Sequence, residues 1–392
     1  MRQVRSELAP THDGKRNAPI RKLGIGLAVL LVLLLLAFGA MSLWKPRMVG
    51  RILAPAAKLD TPASLATWPW PRAVQDHPYP GVTHWLDTSS PDRTVLDLFR
   101  FDFRANPHLR LEMFDQDEDD GRPYDNKAQY WPRGVGQITR LLNTTGRGSV
   151  VAAWNGLFFD FDGIGPGHTA SHLTPVVLNG KLFYPNAGNY RWTFGVRYVK
   201  GKPVFKTLFL PRSEALAGAF DFAAGAAQCL IRDGKPLKLE PFPRPGQPQR
   251  PRPVMATPQE AGYIPTVDFI RTSRTSLGWS RDNRYLYLLF VKQPGSETES
   301  AIAFRHGLPS SGGWMLSDLQ RFWLALNVWG AINGDGGEPA QLCYRRADGS
   351  YLLVPPHWAA ANRRLIFSPD FPNAPQGGTL MVFYVRDAHG SP

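Results

Sequence analysis

Residues 327–345 read "NVWGAINGDGGEPAQLCYR". An apolar run of strand length precedes the glycines and another strand-like run follows them, and a plain hairpin would join the two with a two-residue turn. This chain uses Asn333-Gly334-Asp335-Gly336-Gly337-Glu338 instead. Glycine removes side-chain bulk and tolerates positive φ, so such a loop lets backbone N–H groups approach a ligand or presents a short carboxylate that bulkier neighbours would block. The plain alternative is a long turn with a solvated Asp335. A second segment has the same design: "SVVAAW" (149–154) is a continuous apolar run, read as a buried strand, and it delivers Asn155-Gly156-Leu157-Phe158-Phe159-Asp160 at its C-terminal end.

Outward from these two loops the pattern is rich in strands. "TVLDLFRFDF" (94–103) alternates apolar and charged side chains as a half-buried strand does. "VVLNGKLFY" (176–184) is a hairpin with Asn179-Gly180 in a type I′ turn. Further hairpins are expected around Lys200-Gly201 and between "RTSLGWS" (274–280) and "YLYLLFV" (285–291), and "LMVFYVR" (380–386) is a last strand. Two helices stand out, one near 133–143 with Val135, Ile138, Leu141 and Leu142 on one face, the other opening at Ser317 with Gln320 as a capping box and a stripe of Leu316, Leu319, Trp323 and Leu326. The fold class read from this is α+β: a mixed, strand-rich single domain over 85–392 with a few packed helices. Residues 241–258, "PFPRPGQPQRPRPVMATP", form a Pro-rich insertion.

The formal net charge of +13 raises a nucleic-acid or membrane partner until its location is considered. Residues 1–51 carry nine Lys/Arg against Glu7 and Asp13, so just over half of the excess flanks one apolar segment. No aromatic-plus-basic signature of RNA binding is present, and nucleic acid is excluded as the expected partner. Residues 23–44 are 22 positions without a charge, enough helix to cross a hydrocarbon core of roughly 30 Å. The reading is a basic cytoplasmic tail (1–22), a transmembrane anchor (23–44), a Pro-rich spacer (45–84) and a periplasmic or extracellular domain. A cleavable signal peptide is the alternative, since Ala37-Phe38-Gly39 has the small residues a peptidase needs. Cys229 and Cys343 either pair or stay buried as thiols.

From about Thr94 onward the order of segments resembles the phosphodiester glycosidase family. That family shows in order an "iNGgFF" segment, a "vv-NGk" hairpin, an "RTaiG" strand, a capped helix ending "-lGa" and an "NlDGGGS" loop. Here they stand as "WNGLFFD" (154–160), "VVLNGKLFY" (176–184), "RTSLGWS" (274–280), "SDLQRFWLALNVWGA" (317–331) and "NGDGGEP" (333–339). The resemblance implies hydrolysis of a phosphodiester-linked sugar, with a carbohydrate or glycosyl phosphodiester as substrate. Chemistry at an anomeric carbon generally uses two carboxyl groups. Asp335 is the first, with Asp160 or Glu338 as its partner, Asp160 being preferred. Arg274 offers a guanidinium fork to the phosphate, and Thr275 and Ser276 add hydroxyls. Asn155 and Asn333, with Gly156, Gly336 and Gly337, bind sugar hydroxyls or hold the loops together. His168 and His172 lie in a segment read as a loop and are placed along the pocket, not on a metal. Trp154, Phe158 and Phe159 are core or sugar-stacking side chains.

No metal spacing, phosphate-binding Walker loop or dinucleotide fingerprint occurs, so neither metal nor cofactor is expected. The acidic run 115–120, "DQDEDD", has the one-residue spacing of a calcium loop but carries Asp120 where the turn glycine belongs and Asn126 where the bidentate Glu belongs; it reads as a solvated loop. Two departures from the family pattern stand out. Glu338-Pro339 replaces the usual Gly-Ser, and Ala227-Gln228 replaces a Gly-Pro. These leave open a catalytically inactive glycan-binding or envelope-assembly protein, and also a metal-dependent phosphodiesterase using Asp335, Glu338 and Asp160.

Overall fold

The computed structural model describes residues 61–118, 124–129, 133–162, 167–187, 192–209, 211–237, 239, 271–296, 299–300, 312–360, 364–367 and 377–388. The tail, the apolar segment 23–44 and the insertion 241–258 lie outside them. Among the described residues no helix is long and apolar enough to cross a membrane.

In chain order the elements are α1 (63–66), β1 (74–79), β2 (82–87), β3 (95–102), β4 (109–115), β5 (128–129), α2 (135–143), β6 (149–155), β7 (159–161), β8 (169–172), β9 (176–178), β10 (181–183), β11 (192–199), β12 (202–209), α3 (213–216), β13 (222–232), β14 (235–236), β15 (274–279), β16 (285–292), α4 (316–325), β17 (330–333), β18 (342–345), β19 (351–354), α5 (357–360), β20 (365–367) and β21 (381–387). A large twelve-stranded sheet has the main order β1-β2-β3-β16-β15-β17-β13-β11-β12, and a smaller six-stranded sheet runs β20-β19-β18-β6-β21-β4. A short β5-β8-β7 sheet stands apart.

Period-two alternation explains how these layers pack. Leu277, Trp279 and Ile332 of the large sheet meet Trp154, Leu342 and Phe383 of the small one in a single inner core. The opposite residues face helices. Ala331 and Leu289 pack on Trp323, Leu319 and Phe322 of α4, while Ala153, Cys343 and Tyr384 pack with Ile138 and Leu142 of α2. The result is two sheets face to face with a helix on each outer side, an α+β architecture that is mostly sheet.

The expected hairpins form. Asn179 and Gly180 both take positive φ between β9 and β10, as do Lys200 and Gly201 between β11 and β12. The helix at 316–325 also forms, but its cap lies two residues earlier than the sequence implies: the Asp318 carboxylate accepts the Met315 N–H at 2.9 Å, so Asp318 rather than Gln320 closes the first turn. The Gln320 amide instead donates to the carbonyls of Leu230 and Leu237.

Three further expectations are corrected. The folded unit begins well before residue 85, because β1 and β2 pair along the edge of the large sheet, so the second part of the Pro-rich stretch is sheet and not spacer. Asp97 does not lie on a solvated face of β3. It is fully buried, with His84 Nε2 at 2.9 Å and Arg364 bonding both of its oxygens. Asp115 and Asp117 are likewise buried rather than part of a solvated loop. Asp115 accepts from Tyr124 at 3.0 Å and Tyr184 at 3.2 Å and pairs with His172 at 2.9 Å. Burial alone would raise the Asp115 carboxyl, but His172 beside it holds it below the usual carboxylate range. Cys229 and Cys343 are both free and buried, and burial pushes both thiols up to about 12.

Candidate active site

The two Asn-Gly segments meet. β6 ends at Asn155 in the small sheet, β17 ends at Asn333 in the large one, and the backbone crosses between them: Asp335 N–H donates to Gly156 O at 2.8 Å, and Asn155 Nδ2 donates to Asp335 O at 3.1 Å. The same amide lies 3.3 Å from Asp335 Oδ2, and Asn155 Oδ1 accepts the Gln341 N–H at 3.0 Å. Gly334 N–H goes to Thr275 O and Gly337 N–H to Ser273 O, each at 2.8 Å, and the Thr275 hydroxyl donates to Asp335 O. The loop is therefore a latch between sheets. Its N–H groups at 334, 335 and 337 are taken up by the protein's own carbonyls, and Gly336 N–H by Asp335 Oδ1 at 3.0 Å, so they form no cradle for an anion.

Close approach explains two of the glycines. A Cβ on Gly334 would fall 2.7 Å from Gly156 O, and one on Gly336 would fall 2.5 Å from Ser273 O, far inside van der Waals contact. Behind the latch a small, mainly apolar cavity is lined by Trp154, Leu157, Leu277, Ile332 and Phe383 together with Gly156, Thr275 and Gly334. Trp154 is thus a core side chain, whereas Phe158 and Phe159 are half-buried.

Arg274 opens β15 beside this junction. Two residues on, Ser276 of β15 pairs with Asn333 of β17, and there the ladder ends. Gly336 packs onto the Arg274 backbone. The Arg274 side chain is buried, with Nε donating to Trp314 O at 2.9 Å. Ser276 is spent on structure: its hydroxyl donates to Ile332 O at 2.6 Å and accepts Trp323 Nε1–H at 2.8 Å. Asn333 is buried, donating to Gln228 Oε1 and Gly334 O, while its own Oδ1 has no hydrogen-bond partner among the described residues. Gln228, the residue that departs from Gly-Pro, is thus the side chain that orients Asn333. Asp335 itself is 8% exposed, and Glu338, further along the latch, is half-buried.

Two proposed residues stand outside the latch itself. Asp160 is exposed on β7, and its carboxylate accepts the neighbouring Phe161 N–H at 3.0 Å. His168 is about half exposed and sits 3.5 Å from Asp162, while its companion His172 is on β8, buried against Asp115. Glu338 stays with the latch, its backbone O accepting the His357 N–H at 2.9 Å.

Two residues at the junction have no local signal in the sequence. Lys292 ends β16 fully buried and donates to Ala340 O and Pro355 O, both at 3.1 Å. Burial pulls its ammonium down to about 7, partly opposed by the charge of Glu338. Gln341 is the hub. Besides its backbone bond to Asn155, its side chain accepts the first N–H of α2 at Val135 and donates to Gly377 O. A lysine closing a strand and a glutamine in "PAQL" look like surface residues until the two sheets are brought together. Among the described residues no group of three or more His, Cys, Asp or Glu is placed to hold a metal ion.

The sequence profile of the phosphodiester glycosidase family matches residues 148–368, which contain both Asn-Gly segments, Arg274 and the whole latch. No curated protein matches the chain significantly. Among solved structures, the pro-peptide-inhibited catalytic domain of zebrafish N-acetylglucosamine-1-phosphodiester alpha-N-acetylglucosaminidase is similar at 18% identity and TM-score 0.47, covering 81% of this chain and 84% of that one. A hypothetical protein from Synechocystis is similar at 12% identity and TM-score 0.40, covering 78% of this chain and 62% of that one. Family membership follows from the sequence match, which spans more than half of the chain: it belongs to the phosphodiester glycosidase family.

Proposed function

We propose that this member of the phosphodiester glycosidase family is a membrane-anchored, outward-facing hydrolase that cleaves a glycosyl-1-phosphodiester or a related linkage in envelope or exported polysaccharide. The observation that carries the reading is the position of Asp335 at the junction of the two sheets, held by Asn155 and Gly336, with Gly336 packed on the Arg274 backbone.

In this reading the anomeric carbon sits before the Asp335 carboxylate, which stabilises positive charge as the bond to the phosphate oxygen breaks. The departing phosphate monoester is already acidic, so neutralising it matters more than protonating it, and Arg274 supplies that charge. Water adds to the anomeric carbon and its proton passes to the second carboxyl group. Of the two partners the sequence offers, Glu338 fits better than Asp160, because it lies three positions along the same latch while Asp160 is exposed on β7. Asn155 and Asn333 act as positioning residues.

Replacing Asp335 by Asn preserves size and should lower kcat on a glycosyl-1-phosphodiester by about a thousandfold or more, with cooperative thermal unfolding retained. Unchanged turnover would remove Asp335 from the centre. The Glu338-Pro339 departure supports a second reading, a glycan-binding protein without turnover. It would be recognised by equilibrium binding of the diester with no release of sugar by the unaltered chain.

A further inference from the structure

The β11–β12 hairpin has an outer face that the core does not use. Between Trp192 and Phe209 the chain carries Arg197, Lys200, Lys202 and Lys206 and no acidic residue. Register sorts these side chains. Arg197 pairs with Val204, Val199 with Lys202 and Gly195 with Lys206, so the five side chains stand on one side of the two strands, while the alternate residues Phe194, Val196 and Phe205 fill the inner core. Lys200 continues the row at the turn, where it and Gly201 take positive φ. All four cations are exposed, and so are Val199 at 48% and Val204 at 39%. None of the four is in an ion pair among the described residues. Arg110 adds a fifth positive charge behind the tip: its guanidinium lies over the Tyr198 ring at 4.9 Å, and 3.7 Å from where a Cβ of Gly201 would stand. The Asp221 carboxylate beside β11 already accepts the Tyr198 N–H, at 2.6 Å.

Lysines on an edge strand commonly keep it from pairing with another sheet. That role does not account for two β-branched apolar side chains left in water between the charges, and the edge is already blunted, since the Phe205 N–H of β12 donates to Asn283 Oδ1 at 2.9 Å. Cations alternating with exposed aliphatic groups fit a layer of lipid headgroups. The ammonium and guanidinium groups meet phosphates, and the valines sink toward the acyl boundary. A soluble polyanion would use the charges alone. The apolar run 23–44 ends 16 residues before residue 61, at most about 55 Å of extended backbone, so an anchor there would hold the domain close to a bilayer. We propose that this face of the β11–β12 hairpin rests on an anionic lipid surface, a reversible membrane contact in addition to any anchor. The inference goes beyond the glycosidase reading and holds with or without turnover.

The test reads lysine acetylation by N-succinimidyl acetate, resolved by mass spectrometry, in the full-length chain with vesicles of phosphatidylcholine alone or with about one-third phosphatidylglycerol. Lys235, exposed in the turn after β13, is the internal reference. Acetylation at Lys200, Lys202 and Lys206 should slow by at least about fivefold on the anionic vesicles only, and recover in ~0.5 M salt, where charges are screened within a few ångströms. Equal rates on both vesicles overturn the proposal. Val199→Ser with Val204→Ser should reduce the protection about threefold. Protection untouched by that pair and reproduced by soluble polyphosphate would make the face a polyanion site, and protection that grows with protein concentration on phosphatidylcholine alone would make it a contact between copies; either result refutes the lipid assignment. Should the valine pair not fold, Lys202→Gln with Lys206→Gln decides, read at Lys200: loss of protection there supports the proposal and full protection overturns it.

Discussion

Two clasps hold the large and small sheets together, and they are built from opposite materials. At one, Asp97 of β3 reaches Arg364 beside β20 of the small sheet, with distances of 3.0 and 2.5 Å to its two oxygens, and His84 bridges Asp97 and Asp76 at 2.9 and 3.0 Å. At the other, Asn155, Gly156 and Gln341 join the end of β6 to the loop after β17 through amides and backbone, and the Asp335 carboxylate stands among them. The first neutralises buried charge with charge. Burial alone would raise the Asp97 carboxyl, yet Arg364 and His84 keep it below the ordinary range. The second fixes the backbone of Asp335 through neutral groups and leaves its side chain slightly open. A carboxylate that only has to hold a fold is best saturated, whereas one that has to meet a substrate needs its orientation fixed by groups that do not consume its charge.

The contrast predicts that damage to each clasp is read in a different assay. Asp335→Asn at the amide clasp should cost orders of magnitude in turnover while the protein still melts as one unit. Arg364→Met at the charged clasp should do the reverse. It strands a fully buried carboxylate with only His84 as a cation, which costs about 3–5 kcal/mol and lowers Tm by on the order of 10 °C, with turnover per folded molecule retained. Calorimetry together with active-site titration checks this. A large loss of turnover in folded Arg364→Met would mean that the two clasps are not separate in function.

A smaller effect tests why the amide clasp needs glycine. In Gly336→Ala the new methyl meets Ser273 O at 2.5 Å, a backbone atom that yields only if the latch shifts. We expect a stability loss of about 1–3 kcal/mol and a fall in kcat larger than any rise in KM, since what moves is the Asp335 carboxylate rather than the binding surface. Unaltered kinetics would show that the latch position does not set the chemistry.

How much of this was readable from the residues differs between the clasps for a physical reason. Strand and hairpin positions follow from local alternation and turn chemistry, so Asn179-Gly180, the 149–154 run and the 327–345 stretch could be placed without coordinates. The amide clasp was half visible, because paired Asn-Gly segments after buried strands mark backbone approach, but its N–H groups turned out to serve the protein and not a ligand. The charged clasp was invisible: Asp97 and Arg364 are 267 positions apart, and alternation in β3 assigns Asp97 to solvent. Asp115 and Asp117 misled in the same way, since a run of acids looks solvated until Tyr124, just past the run, and Tyr184 and His172, tens of residues away, are folded over it. Lys292 and Gln341 carry no local signature, because their partners lie in the opposite sheet or in loops beyond it.

The pH dependence of stability offers the finest division between the clasps, because their buried cations shift in opposite directions. Burial disfavours the His84 cation, but hydrogen bonds to Asp76 and Asp97 outweigh it and the folded-state pKa lies above the ordinary 6.5. Its contribution is therefore complete below pH 6.5 and is lost as pH rises through the folded value. Lys292, at the amide clasp, has a folded value near 7 against 10.5 when unfolded. Between those limits the unfolded chain binds the proton that the folded chain has shed, so this group makes stability rise with pH. Urea midpoints measured from pH 6 to 9 should thus respond oppositely to two substitutions: Lys292→Met should remove a rising component and leave a steeper decline, and His84→Gln should remove a falling one. Each variant is read by its slope with pH and not by its absolute stability, since both also lose hydrogen bonds. Slopes that coincide with the unaltered chain in Lys292→Met would mean that the amide clasp holds a charged ammonium throughout, and the distinction between a charged and a neutral clasp would then fail at Lys292.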